Sequence, residues 1–340
     1  MKLWKRVFGA LKDQNSLLKA RLVSHLTSGN PDIEKAVIKA TSHDESYIDF
    51  HNTQSVFSWI RLSDENFQPT LSVLSKRLEK THNWVVALKG LMLMHGVFCC
   101  KVSSPHTIGH LPFDLSNFKH GHSESAKNWS VEAFIRSYYD FLEQKSMVLL
   151  HFSKQPNNNK NEEDLILQDL ICLHNLQLLL DTLLQIKPRY AAKSNTFVLE
   201  VMDCLVVESF DIYSRICDGI MSVLADIYSC GMTETNTMLT ILEKATVQGV
   251  KLSQYLEFCR QMGVNNASEC PKTEQIDETD IQDLEVLIEY TSDESEEMKS
   301  LVMDKKMMTK PHESNDSKGG LKAIITNEWD VFDEDDKEPD

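Results

Sequence analysis

The chain has 340 residues, 41% of them hydrophobic, and its 35 Lys and Arg against 51 Asp and Glu leave a formal charge of −16. That length allows one large domain or two small ones, with apolar residues enough to fill a core over most of it. The acidic balance argues against a nucleic-acid ligand. The longest apolar run, Val85 to Cys100, is broken by Lys89 and His95 and is too short to cross a bilayer.

The charge is uneven. Residues 271–340 hold 22 acids and 8 bases, net −14, which leaves −2 for the first 270 residues. Residues 1–40 hold 8 bases and 3 acids. A basic front, a near-neutral body and an acidic tail mark the two ends as interaction surfaces.

In the front, Leu3, Trp4, Val7, Phe8 and Leu11 fall on one stripe of a helix, flanked by Lys2, Lys5, Arg6 and Lys12. Lys5, Arg6 and Lys12 cut the apolar stretch, so it does not read as a secretory signal. An apolar stripe with Trp and Phe, edged by cations, suits a helix lying in a membrane interface. Each cation beside an anionic leaflet contributes about 1 kcal/mol. The competing reading is an ordinary terminal helix packing its stripe on the core.

Prolines at 31, 69, 105, 112, 156, 188, 271, 311 and 339 leave long proline-free stretches in which helices can lie. Apolar residues recur at helical spacing over Val131–Leu150, Leu165–Ile186, Phe197–Ala225 and Thr237–Cys259. No strand-like alternation of useful length appears, and glycine is scarce. The expected fold class is therefore all-α. Residues 103–128 read as a loop around a helical turn near Thr107–His110, and residues 153–163 as a polar joint. From Cys270 onward the low apolar density predicts a largely disordered acidic tail, relieved by a short amphipathic segment at Ile281–Tyr290.

The eight cysteines show no CxxC and no metal-ligand spacing, and most sit in apolar runs. They read as reduced, buried thiols of a cytosolic protein. His106 and His110 are spaced i, i+4, with His120 and His122 nearby, but no HExxH or cysteine pair supports a metal. Phosphate-loop, dinucleotide and nucleophile-elbow signatures are absent. Arg136 and Glu208 on apolar helices read as structural ion-pair formers. The expectation is a protein without catalysis, cofactor or metal.

Several ordered motifs carry a resemblance. They are Gly9–Asp13, Ile33-Glu34-Lys35-Ala36-Val37-Ile38-Lys39-Ala40-Thr41-Ser42-His43, Asn83 to Leu91 with His95, Phe113–Phe118, Phe134 to Lys145, Leu180–Leu184 and Glu208–Ile220. Over about residues 1–265 the chain resembles the ANTH-domain family, specifically the plant clathrin-assembly proteins. The resemblance implies a right-handed superhelical α-solenoid over 1–265 that binds phospholipid, followed by the tail at 271–340. It also implies a peripheral protein of clathrin-coated pits, coated vesicles and the Golgi, with phosphoinositide membrane, clathrin, an adaptor complex and a vesicle SNARE as partners. The alternative within the same resemblance is a helical scaffold gripping a SNARE or another partner helix with weak lipid contact.

In that family a lysine motif around the second helix binds phosphoinositide head groups. Here Lys39 matches its first lysine and His43 lies at a matching histidine, but Asp49 stands where its next lysine is expected, followed by Phe50 at the unconstrained position, His51 at that of a second base and Asn52 at that of a His or Tyr. The resemblance thus assigns lipid contact to Lys35, Lys39, His43 and His51 beside the four front cations, without tight head-group selectivity. In the tail, Trp329, Phe332, Asp333 and Glu334 resemble the WxxF-acidic peptides that dock on adaptor ear domains. Leu287-Ile288-Glu289-Tyr290 is a weaker clathrin-box candidate.

Overall fold

Side-chain caps mark where some of the helices begin. In the computed structural model, which describes residues 9–17, 31–121, 126–154, 162–188, 195–226 and 232–269, every regular element among the described residues is helical. Residues 9–17 form α1. Next come α2 (Pro31–Ala40), α3 (Phe50–Leu62), α4 (Phe67–Glu79) and α5 (Trp84–Phe98). The long helices are α6 (Ala126–Ser153), α7 (Glu162–Leu184), α8 (Thr196–Asp226) and α9 (Met232–Met262), and α10 (Asn265–Glu269) closes the series. Asn83 caps α5, its Oδ1 accepting from Val85 N at 2.8 Å, and Asp49 caps α3. Pro69 falls inside the first turn of α4 rather than between helices, a place where its missing N–H costs nothing.

Each long helix packs on its neighbours in the chain. Helix α2 lies against α3 and α4, α5 against α6, and α6 against α7, while α7 touches both α8 and α9. This serial stacking is the α-solenoid that the resemblance implies, built from the helices that the periodicity predicts. All four expected long helices are present, and the buried residues form one continuous cluster through them. The helical turn expected at Thr107–His110 is a 3-10 turn at Ser104–Thr107, with Pro105 in its first turn, where a missing N–H is tolerated. Residues 155–161 of the polar joint, the Ile281–Tyr290 segment and the acidic tail lie outside the described residues.

The apolar run that was too polar for a bilayer is α5, the pillar of the core. Twelve of its fifteen residues are buried, from Val85 to Phe98. Two glycines let neighbours approach it closely. A Cβ on Gly90 would stand 2.4 Å from Leu78 Cδ2, and one on Gly96 would stand 2.2 Å from Phe57 Cζ. Because α5 is enclosed on all sides, its two polar residues need built partners, and both have them: Lys89 near the α2–α3 loop and His95 in the deep core.

Among the described residues six cysteines are free thiols, none in a disulfide. Their burial is more varied than the apolar runs suggested. Cys100 and Cys259 are buried, Cys172, Cys204 and Cys217 are half-buried, and Cys99 is exposed. Cys99 follows the last residue of α5 as its C-cap, so the enclosure of that helix no longer covers it.

Candidate membrane-binding site

The segment between α2 and α3 is tied down from three directions. Thr41 ends α2, its buried hydroxyl donating to Val37 O at 2.6 Å. Asp13 of α1 then binds both ends of His43: the backbone N–H donates to Oδ2 at 2.8 Å, and ring Nδ1 faces Oδ1 at 2.7 Å. Arg77 of α4 reaches the same Oδ1 at 2.7 Å and Thr41 O at 2.8 Å. Burial opposes the Asp13 carboxylate, but the bonds from His43 and Arg77 outweigh it and hold the carboxyl below its ordinary range. With the carboxylate as acceptor, His43 presents Nδ1–H to it.

From below, Lys89 of α5 donates to Ser42 Oγ at 3.1 Å and to Asp44 O at 2.7 Å. Its ammonium lies 5.4 Å from the Tyr47 ring centre and 5.8 Å from that of Phe197. Burial lowers its pKa to about 8, against the opposing pull of Asp44, Asp13, Asp49 and Glu200. At the far end, Asp49 Oδ1 accepts from Asn52 N at 3.1 Å and Oδ2 from Asn52 Nδ2 at 2.8 Å. The aspartate standing where the family motif has a lysine is therefore the N-cap of α3.

The predicted lipid residues divide accordingly. Lys12 and Lys35 are exposed, Lys39 is partly exposed and His51 is exposed. These side chains lie on α1, α2 and the first turn of α3, around the tied loop. His43 is mostly buried, its side chain 12% exposed, and its Nδ1 is engaged by Asp13. Of the membrane-inserting stripe, Leu11 is 50% exposed. Leu3, Trp4, Val7 and Phe8, with Lys2, Lys5 and Arg6, lie outside the described residues, as do Trp329, Phe332, Asp333 and Glu334. The organising roles of Asp13, Arg77 and Lys89 escaped the sequence reading. Lys89 did leave a signal, as a lone cation in the middle of an otherwise apolar helix.

A second polar cluster lies deep in the core. His95, Tyr138, Lys145 and Glu208 bring α5, α6 and α8 together, with Lys145 Nζ paired to Glu208 Oε1. Arg136 does not join them. It pairs with Glu132 at 3.1 Å and donates to Phe118 O. Among the described residues the single group of potential metal ligands is His95, Cys99 and Glu208, with ligand atoms within 4.8 Å of one another. A cation there would face the Lys145 ammonium already bound to Glu208, which does not favour a metal. His110 instead meets Glu143 at 2.5 Å, and His120 N donates to Glu132 at 2.7 Å.

The knot of α1, α2, α4 and α5 includes Ile33–His43 and Asn83–Leu91, the same segments that carried the family resemblance. The ANTH domain family matches residues 32–290. The chain belongs to that family. ANTH relatives in Arabidopsis thaliana extend the similarity beyond the matched span. One, named "Putative clathrin assembly protein", is 43% identical over 98% of this chain and 88% of its own length. A second of the same name is 40% identical over 98% and 89%, and a third is 38% identical over 87% and 85%. Among the described residues no helix is long and apolar enough to cross a membrane.

Restoring the motif lysines separates the two uses of this surface. His51→Lys is expected to raise affinity for phosphoinositide vesicles at low salt, since it adds a full cation at an exposed position. Asp49→Lys also removes a helix cap, so it should cost about 1 kcal/mol of stability, read as a lower melting temperature. Unchanged vesicle affinity for His51→Lys would mean that this face does not meet the bilayer.

Proposed function

We propose that the chain is a peripheral clathrin adaptor, not an enzyme, in which the helical domain of residues 1–265 attaches to phosphoinositide-bearing cytosolic membrane and the 271–340 tail recruits coat components. The observation that carries the reading is membership of the ANTH family, together with near full-length similarity to proteins named for clathrin assembly. The exposed cations Lys12 and Lys35, with Lys39 and His51, support the membrane half, and the Trp/Phe stripe with Lys2, Lys5 and Arg6 would add an interfacial helix. The buried hydrogen bonds of His43 favour a supporting role over direct phosphate contact.

Co-sedimentation of the full chain with vesicles, with and without phosphoinositide, tests this. The double change Trp4→Ser, Phe8→Ser is expected to weaken binding to anionic vesicles at nearly unchanged melting temperature. A melting temperature lowered by several degrees with binding intact would make the stripe part of the core. A second reading, a scaffold for a partner helix such as a vesicle SNARE, is favoured by one observation. Leu167, Ile171 and Leu178 line one side of α7 at i, i+4 and i+11 and are 48%, 42% and 39% exposed. Capture of a SNARE helix that leaves vesicle binding absent would favour it.

A further inference from the structure

Helix α1 turns one face to the α2–α3 loop and the other to solvent. Gly9 is buried and Asp13 and Ser16 are half-buried, whereas Ala10, Leu11, Lys12, Gln14 and Asn15 are exposed. The contact is close. A Cβ on Gly9 would stand 2.8 Å from His43 Cβ, and Asp13, one turn later, binds His43 N and Nδ1 at 2.8 and 2.7 Å.

These contacts also give the loop its direction. Arg77 bridges Thr41 O and Asp13, so Thr41 lies at the level of Asp13. By His43 the chain has reached Gly9, where a Cβ would stand 3.9 Å from His43 O. The loop therefore runs against α1, and Asp44 and Glu45 come next, beside the turn that precedes Gly9.

Residues 1–8 supply that turn and lie outside the described residues. They contain no proline. With about 3.6 residues per turn, a helix continued back from Gly9 places Arg6, Lys5 and Lys2 three, four and seven positions before it. All three then share the face that Gly9 and Asp13 turn to the loop. Leu3, Trp4, Val7 and Phe8 fall eight, seven, four and three positions before Leu11, on the opposite, exposed face. Three cations in the first turns oppose the positive end of the helix dipole, so such a helix needs carboxylates beside it.

We infer that residues 2–8 continue α1 along the α2–α3 loop, with Lys2, Lys5 and Arg6 docked on the side that carries Asp44 and Glu45 and the Trp/Phe stripe turned outward. Charge complementarity and the place where α1 begins select this segment as the occupant. The field over the loop is negative: after burial, the charges of Asp49, Asp44 and Asp13 push the Tyr47 hydroxyl's pKa up. The docking leaves the stripe to the membrane of the proposed function, yet needs no membrane itself.

Amide hydrogen exchange of the 340-residue chain, read by mass spectrometry without vesicles, tests the docking. The amides of residues 6–9 are expected to be protected in wild type. Lys5→Glu with Arg6→Glu, and separately Asp44→Asn with Glu45→Lys, are each expected to speed their exchange about tenfold. Asn at position 44 keeps an acceptor for Ser46 N, and the loop pair leaves the front's own sequence untouched. Combining all four changes should restore most of the protection, which a merely structural loss would not do. High salt should weaken protection in wild type. Wild-type exchange at the rate of an unstructured peptide, protection indifferent to both reversals, or loss without recovery in the combined variant overturns the docking. Protection that grows with protein concentration would place the front on a neighbouring copy, and protection that needs anionic vesicles would place it on lipid; either also overturns the docking. None of these results removes the membrane reading, which stands or falls on vesicle binding.

Discussion

Glu208→Gln is expected to destabilise the protein by about 3–5 kcal/mol, the cost of leaving a buried ammonium without its counter-charge. Glu208 on α8 pairs with Lys145 on α6 and with His95 Nε2 on α5 at 3.1 Å, where the two side chains are 9% and 6% exposed. An ionised carboxylate only accepts, so His95 donates from Nε2, and its Nδ1 accepts from Tyr138 OH at 2.9 Å. Every member is therefore satisfied by another. Burial opposes the Glu208 carboxylate, but Lys145 and then His95 more than offset it and hold its pKa far below the usual carboxylate range. Removing the charge strands Lys145, which is enclosed and cannot recover its hydration. The double change Glu208→Leu, Lys145→Met is expected to lose much less than the single one, because no uncompensated charge remains.

The same cluster sets the acid sensitivity. His95 is buried and its pKa is lowered. Below its ordinary value of 6.5 the unfolded ring gains a proton that the folded ring resists, so stability declines from that point as pH falls. Glu208 adds a second loss. Its contribution is fully present above its unfolded value of 4.5 and disappears as pH falls below it, toward the depressed folded value. The urea midpoint should thus decline gently below pH 6.5 and more steeply below pH 4.5. Glu208→Gln should flatten the steeper part. A variant that unfolds at the wild-type midpoint at neutral pH would show that the cluster is not a buried ion pair.

The helices were legible because their signal is local. A stripe recurring every three or four residues is a property of short windows, as is a proline at a break such as Pro156 or Pro188, and α6 to α9 follow the stripe closely. The partners of the polar residues were not legible. Lys89 meets a loop 45 residues away, His95 meets a glutamate 113 residues away, and Arg77 meets an aspartate 64 residues away. No spacing rule spans such distances, because only the stacking of the solenoid brings those residues together. Asp49 failed differently. Set against the family motif it read as a lost lysine, although an Asp immediately before a helical segment is also an N-cap signal. His43 reads from the motif as a lipid contact, yet its Asp13 partner lies on a helix whose packing no local pattern predicts.

At the other end of the chain, the double change Trp329→Ala, Phe332→Ala is expected to abolish capture of an adaptor ear domain by the 340-residue chain. The two rings are three residues apart and are followed by Asp333, Glu334, Asp335 and Asp336, a spacing that lets both enter neighbouring pockets while the acids approach a basic rim. Burying each ring contributes about 1.5–3 kcal/mol before ordering costs, which fits a transient contact in the micromolar range. Vesicle binding should be unaffected, since the cations and aromatics proposed to serve it lie more than two hundred residues earlier in the sequence. Neutralising the acids alone should weaken capture and flatten its salt dependence without eliminating it, because charge steers the encounter while the rings hold the complex. Retention of the ear domain by the double Ala variant would place the contact elsewhere in the chain. If the wild-type chain captures no coat component at all, the recruiting half of the adaptor reading is wrong, and a scaffold for a partner helix becomes the better account.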